Sequence, residues 1–438
     1  MKKTIVLAGL IFLAGCFGTK NRQDISGACP PGCSPAKAVG TAIPKPIVVD
    51  TPAVKPAAAA APILQVPPEK APSFVDLDDK KPLIKAAKIN LQYFNSLKTP
   101  AMVYSFGPRK ITTDILASGT SEFIRILSEA KDQSELDKRL RESFDIYQLA
   151  GSDSTGTVVF SSYYEPTLSA SLKQTPEYPY PIYARPDDLI SVNLESFNDK
   201  FKGEKLFGRL QNNELVPYLN REQIDFEDGL KGRGLELAWL KDRPDVMDLH
   251  IEGSGRLQFE DGKQIKALYA ATNSLKFLGW LTAMRQMGLF PEGISDEKGR
   301  QYLKEHPEQE REILTKNKRY TFFRLEELAD PTDGPYGTGG IQLVGWRSIA
   351  IDNALVPLGT LAFMSTNTPD VDDKGVLLGR KEDTRFVFCQ DTGGAIKGPG
   401  RVDFFAGNGA KAYTFAFKLW NPGTLHLLVL KESLLPKP

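Results

Sequence analysis

The stretch from Cys389 to Gly407 constrains this chain more than any other. An apolar run, Phe386-Val387-Phe388, predicts a buried strand. It feeds into Cys389-Gln390-Asp391-Thr392-Gly393-Gly394-Ala395-Ile396-Lys397-Gly398-Pro399-Gly400-Arg401-Val402-Asp403-Phe404-Phe405-Ala406-Gly407. The glycines open backbone conformations closed to other residues and let a bulky ligand approach the main chain. Two carboxylates, Asp391 and Asp403, sit on this tight scaffold, an arrangement suited to proton chemistry. The plainer alternative is a pair of turn aspartates hydrogen-bonded to their own backbone.

Charge narrows the partners. A formal net charge of +1 over 438 residues argues against a nucleic-acid surface or a polybasic membrane patch and favours a largely uncharged partner. The length allows two domains. A metal site is not expected: the only histidines are His250, His306 and His426, and no Cys/His cluster has ligand spacing. Cys389 has no local partner and reads as a small buried hydrophobe. No cofactor fingerprint is present, because Gly253-Ser254-Gly255 alone makes no phosphate cradle.

The N-terminus carries an address. Lys2 and Lys3 precede apolar residues that end in Leu13-Ala14-Gly15-Cys16, which resembles a bacterial lipoprotein signal with Cys16 as the lipidated mature N-terminus. Phe17 rather than Asp follows the cysteine, so the resemblance implies the outer membrane, with the body facing the periplasm. Export removes the nucleotide fuels of the cytoplasm, so chemistry without fuel is expected. Cys29 and Cys33 could close a small disulfide in that oxidising compartment.

Composition divides the chain into a signal (1–15), a Pro/Ala-rich tether (16–73), a helical segment ending in a strand (74–166), a β-rich segment (167–316) and a strand-dominated last third (317–438). Leu83, Ala87, Leu91, Phe94 and Leu97 share a helix face; a second helix is expected near Thr112 to Ala130 and a third from Ser134. In the middle segment Leu275, Leu278, Leu281 and Met284 predict one amphipathic helix. Strands are expected at Thr157–Ser161, Leu189–Leu194, Tyr320–Phe323, Ile341–Val344, Ser348–Ile351, Leu361–Met364, Tyr413–Leu419 and Leu425–Leu430. The last third therefore favours a small barrel over a parallel sheet with helices.

Several motifs in register resemble the membrane-bound lytic murein transglycosylase A family, whose C-terminal domain is named for three aspartates. They are Asp352 in Ala350-Ile351-Asp352-Asn353-Ala354-Leu355-Val356-Pro357-Leu358-Gly359-Thr360, Asp391 in Asp391-Thr392-Gly393-Gly394-Ala395-Ile396-Lys397-Gly398, and Asp403 in Val402-Asp403-Phe404-Phe405-Ala406-Gly407. Tyr163-Tyr164-Glu165-Pro166, Gly253-Ser254-Gly255-Arg256 and Asn317-Lys318-Arg319-Tyr320-Thr321-Phe322-Phe323 add to the match, from about residue 80 onward. One departure stands before the tyrosines, where Ser161-Ser162 replaces the family's usual Thr-Gly pair.

The resemblance implies a mainly β, α+β architecture: a double-psi β-barrel with a smaller β-rich domain inserted, and a groove for a glycan strand at their junction. It implies Asp403 as the single acid/base that cleaves the MurNAc-GlcNAc bond of peptidoglycan and leaves a 1,6-anhydromuramyl end. The apolar neighbours Val402, Phe404 and Phe405 favour the protonated form that an acid needs. Asp391 and Asp352 take supporting roles, while Ser161, Tyr163, Tyr164 and Lys397 are candidate substrate contacts; a tandem tyrosine pair on a strand puts one ring inward. The expected partners are glycan strands and the outer membrane, with cell-wall synthesis or division partners left open. Two alternatives stand beside this: a hydrolase using Asp391 and Asp403 as a pair, and a non-catalytic peptidoglycan-binding lipoprotein.

Overall fold

A computed structural model describes residues 62–97, 103–201 and 205–435. Cys16, Cys29, Cys33 and most of the tether lie outside the described residues. Among those described, no helix is long and apolar enough to cross a membrane.

Six strands close into a barrel. Around the ring run Asn421–Leu430, Leu361–Val371, Leu377–Asp391, Ser348–Ala350, Arg401–Asn408 and Val158–Glu165, and the last pairs back to the first. Two neighbours are parallel, Ser348–Ala350 with Leu377–Asp391 and Arg401–Asn408 with Val158–Glu165. Period-2 alternation puts Val158, Phe160, Val387, Cys389, Val402 and Phe404 into one core. Phe144–Leu149 and Ile63–Gln65 extend the sheet at one edge.

The N-terminal helices cover this barrel. Lys80–Ser96 starts at Asp79, whose side chain accepts the Lys81 N–H, and buries Leu83, Ala86, Ala87 and Phe94. Thr113–Glu129 buries Phe123 and Ile126 against Phe386 and Phe388. Ahead of them Phe74 is fully buried, its ring 5.1 Å from Phe363. The body thus begins before residue 74, because Ile63–Gln65 and Phe74 complete an edge and a core that the helices leave open.

The inserted domain is a six-stranded sheet in the order Thr321–Glu327, Gln264–Thr272, Gly255–Gln258, Thr167–Ser171, Glu236–Leu240 and Tyr180–Tyr183. A three-stranded sheet, Ile190–Asn193, Lys205–Gln211 and Glu214–Pro217, and short helices accompany it. Its boundary lies later than residue 316, since Thr321–Glu327 pairs along Gln264–Thr272 and joins no barrel strand. A buried ion pair marks the junction: Arg256 Nε lies 2.8 Å from Glu165 Oε2, and the same guanidinium donates to the carbonyls of Pro331 and Asp333.

Four local expectations differ from the structure. The helix expected from Leu275 spans only Trp280–Gln286. The reason is buried Asn273, whose side chain binds the Leu219 and Lys318 carbonyls and the Tyr320 N–H, holding the chain extended before Ser274 turns at φ 54°. Tyr413–Leu419 is not a strand but lies in and just after the helix Gly409–Lys418: Gly407 and Gly409, at φ 86° and 87°, redirect the chain, and Ala412 and Phe415 pack on the barrel at helical spacing. Ile341–Val344 forms no strand beyond one bridge between Gln342 and Tyr336, because its side chains enter the core just before Trp346 turns at φ 67°. The third helix starts at Gln133 with Asp132, rather than Ser134, as its cap.

One buried pair fastens the N-terminal segment to the barrel. Arg347 Nη1 lies 2.5 Å from Asp76 Oδ2, and that carboxylate also accepts the Phe386 N–H at 2.9 Å. Removing one partner strands a buried charge, which costs about 3–5 kcal/mol. Asp76→Ala is therefore expected to lower stability by about that amount, read as a reduced denaturation midpoint with an unchanged m-value.

Candidate active site

The cleft lies where barrel and insert meet, with a volume of ≈ 560 Å³, and Asp391, Asp403, Tyr163, Glu252 and Arg319 are among its lining residues. The parallel register of two barrel strands builds its centre. Asp403 on Arg401–Asn408 stands opposite Ser161 on Val158–Glu165, and Ser161 Oγ donates to Asp403 Oδ1 at 2.7 Å. Arg401 Nη2 donates to the same hydroxyl oxygen at 2.9 Å, so the serine's own proton is directed at the carboxyl. The Arg401 guanidinium stacks 4.4 Å from the centre of the Trp420 ring.

Burial dominates the acidity of Asp403 and pushes it up to about 6. The Ser161 hydrogen bond and the Arg401 charge pull it down, while Asp391 raises it further. This carboxyl exchanges its proton close to neutral pH.

Asp391 is held differently. Its Oδ2 accepts the Tyr163 hydroxyl at 2.8 Å, and its Oδ1 accepts the Thr338 N–H at 2.9 Å and the Thr338 hydroxyl at 3.1 Å. Burial raises its affinity for a proton, and these bonds act against the rise. Both oxygens are engaged, which makes Asp391 an orienting acceptor. The phenol of Tyr163 is driven well above its usual range by burial and by Asp391, so it stays neutral.

Asp352 does not line the cleft. It caps its own turn through the Ala354 N–H and accepts the Gly398 N–H at 2.8 Å, pinning the glycine loop that follows Asp391. Gly398 takes φ 75° there, a conformation costly for other residues. Lys397 is exposed, with its ammonium 3.9 Å from Asp352. Tyr164 is buried and packs edge-on against Tyr413 of the helix Gly409–Lys418 at 5.5 Å, whereas Tyr163 faces the cleft.

Three polar groups here had escaped the sequence. Glu252 ends the helix Arg243–Glu252, where burial above all, with the charges of Asp248 and Asp403, raises its proton affinity well above the usual value against the pull of the Tyr164 N–H. Its position just before Gly253-Ser254-Gly255 was the available signal. Thr338 sits in the glycine-dense Gly334–Gly340, and Arg401 stands two residues before Asp403. His250 is buried and neutral, with Nδ1 2.9 Å from Arg221 Nη2; an arginine only donates, so the ring proton sits on Nε2.

A closed barrel, an inserted β domain and a carboxyl-lined cleft at their junction define a two-domain groove protein. The MltA specific insert domain matches residues 159–324 and the 3D domain matches residues 347–429. Membrane-bound lytic murein transglycosylase A of Escherichia coli (strain K12) is 28% identical over 271 residues, 61% of this chain. That alignment spans 64% of the E. coli protein, just short of two thirds of its length. The crystal structure of the membrane-bound lytic murein transglycosylase from Agrobacterium tumefaciens superposes with a TM-score of 0.66 at 27% identity, covering 84% of this chain and 97% of that one. MltA from Neisseria gonorrhoeae gives 0.64 at 26%, covering 84% and 92%. The chain belongs to the MltA family with a 3D domain.

The relay from Arg401 through Ser161 to Asp403 is testable. Ser161→Ala removes a donor to the charged carboxylate, so the Asp403 titration should move above about 6. Carboxyl-carbon NMR, with Asp403→Asn assigning the signal, checks it; an unchanged or lowered midpoint would refute the relay.

Proposed function

We propose that this protein cleaves the MurNAc-GlcNAc bond of peptidoglycan without water, as a lytic transglycosylase with Asp403 as its single acid/base. The observation that carries this reading is the contrast between the cleft carboxyls. Asp403 exchanges a proton near about 6, while Asp391 has both oxygens engaged by fixed donors. Burial pushes the proton affinity of Glu252 up, and its Oε2 accepts the Tyr164 N–H at 3.3 Å. A hydrolytic pair needs a second carboxylate free to serve water or the anomeric carbon, and neither neighbour of Asp403 offers one.

The chemistry closes on one group. Protonated Asp403 gives its proton to the bridging oxygen as the bond to the muramyl anomeric carbon breaks. The resulting carboxylate takes the proton of the muramyl C6 hydroxyl, whose oxygen attacks that carbon and forms the 1,6-anhydro ring. The acid is thereby restored, and no water is consumed. The neutral phenol of Tyr163 and the fixed Asp391 orient the sugar, and Ser161 steadies the carboxylate between the two steps.

Lipidation of Cys16 would hold the body at the outer membrane, facing the periplasm and the glycan. This part of the proposal rests on the signal sequence and on the membrane-bound relatives.

Two outcomes follow for the full-length protein on purified peptidoglycan. Wild type should release anhydromuropeptides, about 18 Da lighter than reducing-end products, and Asp403→Asn should lose about 10²–10⁴ in rate while still binding the sacculus. Reducing-end products would replace this reading with the hydrolase, and binding without any wild-type cleavage would leave a peptidoglycan-binding lipoprotein. The acid must start protonated, so kcat/KM is expected to fall about tenfold per pH unit above the Asp403 midpoint. Glu252→Gln, which preserves a neutral side chain of the same shape, should change kcat less than about threefold over that range; a loss comparable to Asp403→Asn would show Glu252 working as a base.

A further inference from the structure

Arg319 is a cation left without an anion inside the cleft. Its guanidinium donates through Nε to Thr272 Oγ1 at 3.2 Å, and among the described residues no carboxylate lies within ion-pairing distance of it. Other acids of the cleft are committed elsewhere: Asp391 to Tyr163 and Thr338, and Asp403 to Ser161. Burial pushes Glu252 toward its neutral form.

The surrounding structure builds this position rather than leaving it to a mobile surface chain. Arg221, 1% exposed, donates through Nη2 to the Arg319 carbonyl at 2.7 Å and through Nε to the Asn317 carbonyl at 3.2 Å. Asn317 Oδ1 in turn accepts the Arg319 N–H at 3.1 Å. Tyr320 is fully buried, while Arg319 lines the cleft. Across the gap lies Gly394, where a Cβ would make an ordinary contact, 3.9 Å, with Arg319 Nη1. The cation therefore reaches from the insert to the loop that carries Asp391.

A guanidinium is a planar fork matched to a carboxylate, and a partly desolvated one without a partner is stabilised when an anion arrives. In peptidoglycan every second sugar, the muramyl residue, bears a carboxyl group through its lactyl ether or through the peptide attached to it. We propose that Arg319 binds this substrate carboxylate and so sets the register of the strand, placing a MurNAc-GlcNAc bond rather than a GlcNAc-MurNAc bond at Asp403. The inference rests on the transglycosylase reading and adds a specificity-determining residue to it.

The test is binding without turnover. Full-length Asp403→Asn protein in detergent is titrated with peptide-free muramyl glycan, peptide-bearing muramyl glycan and neutral chitohexaose, alone and with Arg319→Gln or Arg319→Lys added. Arg319→Gln should weaken both muramyl ligands about 10- to 100-fold and abolish the salt dependence of their binding, with chitohexaose within about twofold and Arg319→Lys recovering part of the loss. A loss confined to the peptide-bearing ligand also supports the proposal and assigns the carboxylate to the peptide. Equal loss for chitohexaose would reduce Arg319 to a structural role, and no loss for any ligand would overturn the proposal while leaving the transglycosylase reading intact. Failure of wild type to form anhydromuropeptides would instead remove that reading itself.

Discussion

The parallel pairing of Arg401–Asn408 with Val158–Glu165 is the contact on which the rest depends. It joins residues some 240 positions apart, a costly loop closure in a folding chain, and it places the strand that closes the barrel against Asn421–Leu430. The register does the chemical work. Because Asp403 faces Ser161, the carboxyl finds a hydroxyl donor on its neighbour strand, and because strand residues alternate, Tyr163 reaches Asp391 while Tyr164 turns into the core. A slip of one residue would exchange the two tyrosines and remove the serine from the acid.

Solvation separates groups that look alike in sequence. Asp391 and Asp403 stand on the strands that flank the glycine loop and Asp352 in a turn, yet each carboxyl meets a different set of donors. Asp352 receives backbone N–H groups and serves the loop; Asp391 receives a phenol, a hydroxyl and an amide and stays fixed. Asp403 keeps one strong donor and is buried against apolar neighbours, so burial outweighs the Ser161 bond and the Arg401 charge and its proton affinity rises. The division of labour follows from counting donors at each oxygen.

Much of the architecture was legible because its signals are local. A continuous apolar run marked Phe386–Phe388, helical spacing marked Leu83 to Phe94, and glycine density marked the loop between Asp391 and Asp403. The pairing of Asp403 with Ser161 was not legible, since residue spacing along a chain carries no record of which strands become neighbours. Glu252 and Thr338 were missed for the same reason: each comes from an element whose proximity to the barrel acids exists only after the insert docks. The helix Gly409–Lys418 was misjudged because its aromatic and apolar residues suit a strand equally well, and the turns at Gly407 and Gly409 decide between them. Tertiary context overrode propensity there.

A cleft between two domains discriminates only if the domains hold a fixed distance, and the junction supplies that rigidity with buried charge. Glu165 ends the strand that carries Ser161 and Tyr163, and its carboxylate meets Arg256 of the insert, whose remaining donors take carbonyls of the returning link. Lys266 adds a bond to the Gly334 carbonyl at 3.1 Å, four residues before Thr338. The link is therefore tied to the insert at one end and to Asp391 at the other. Opening the junction would leave buried groups unpaired, which is far costlier than losing surface contacts. On the proposed reading, the separation between Arg319 on the insert and Asp403 on the barrel is set by this latch, and the register of an alternating glycan is read against it.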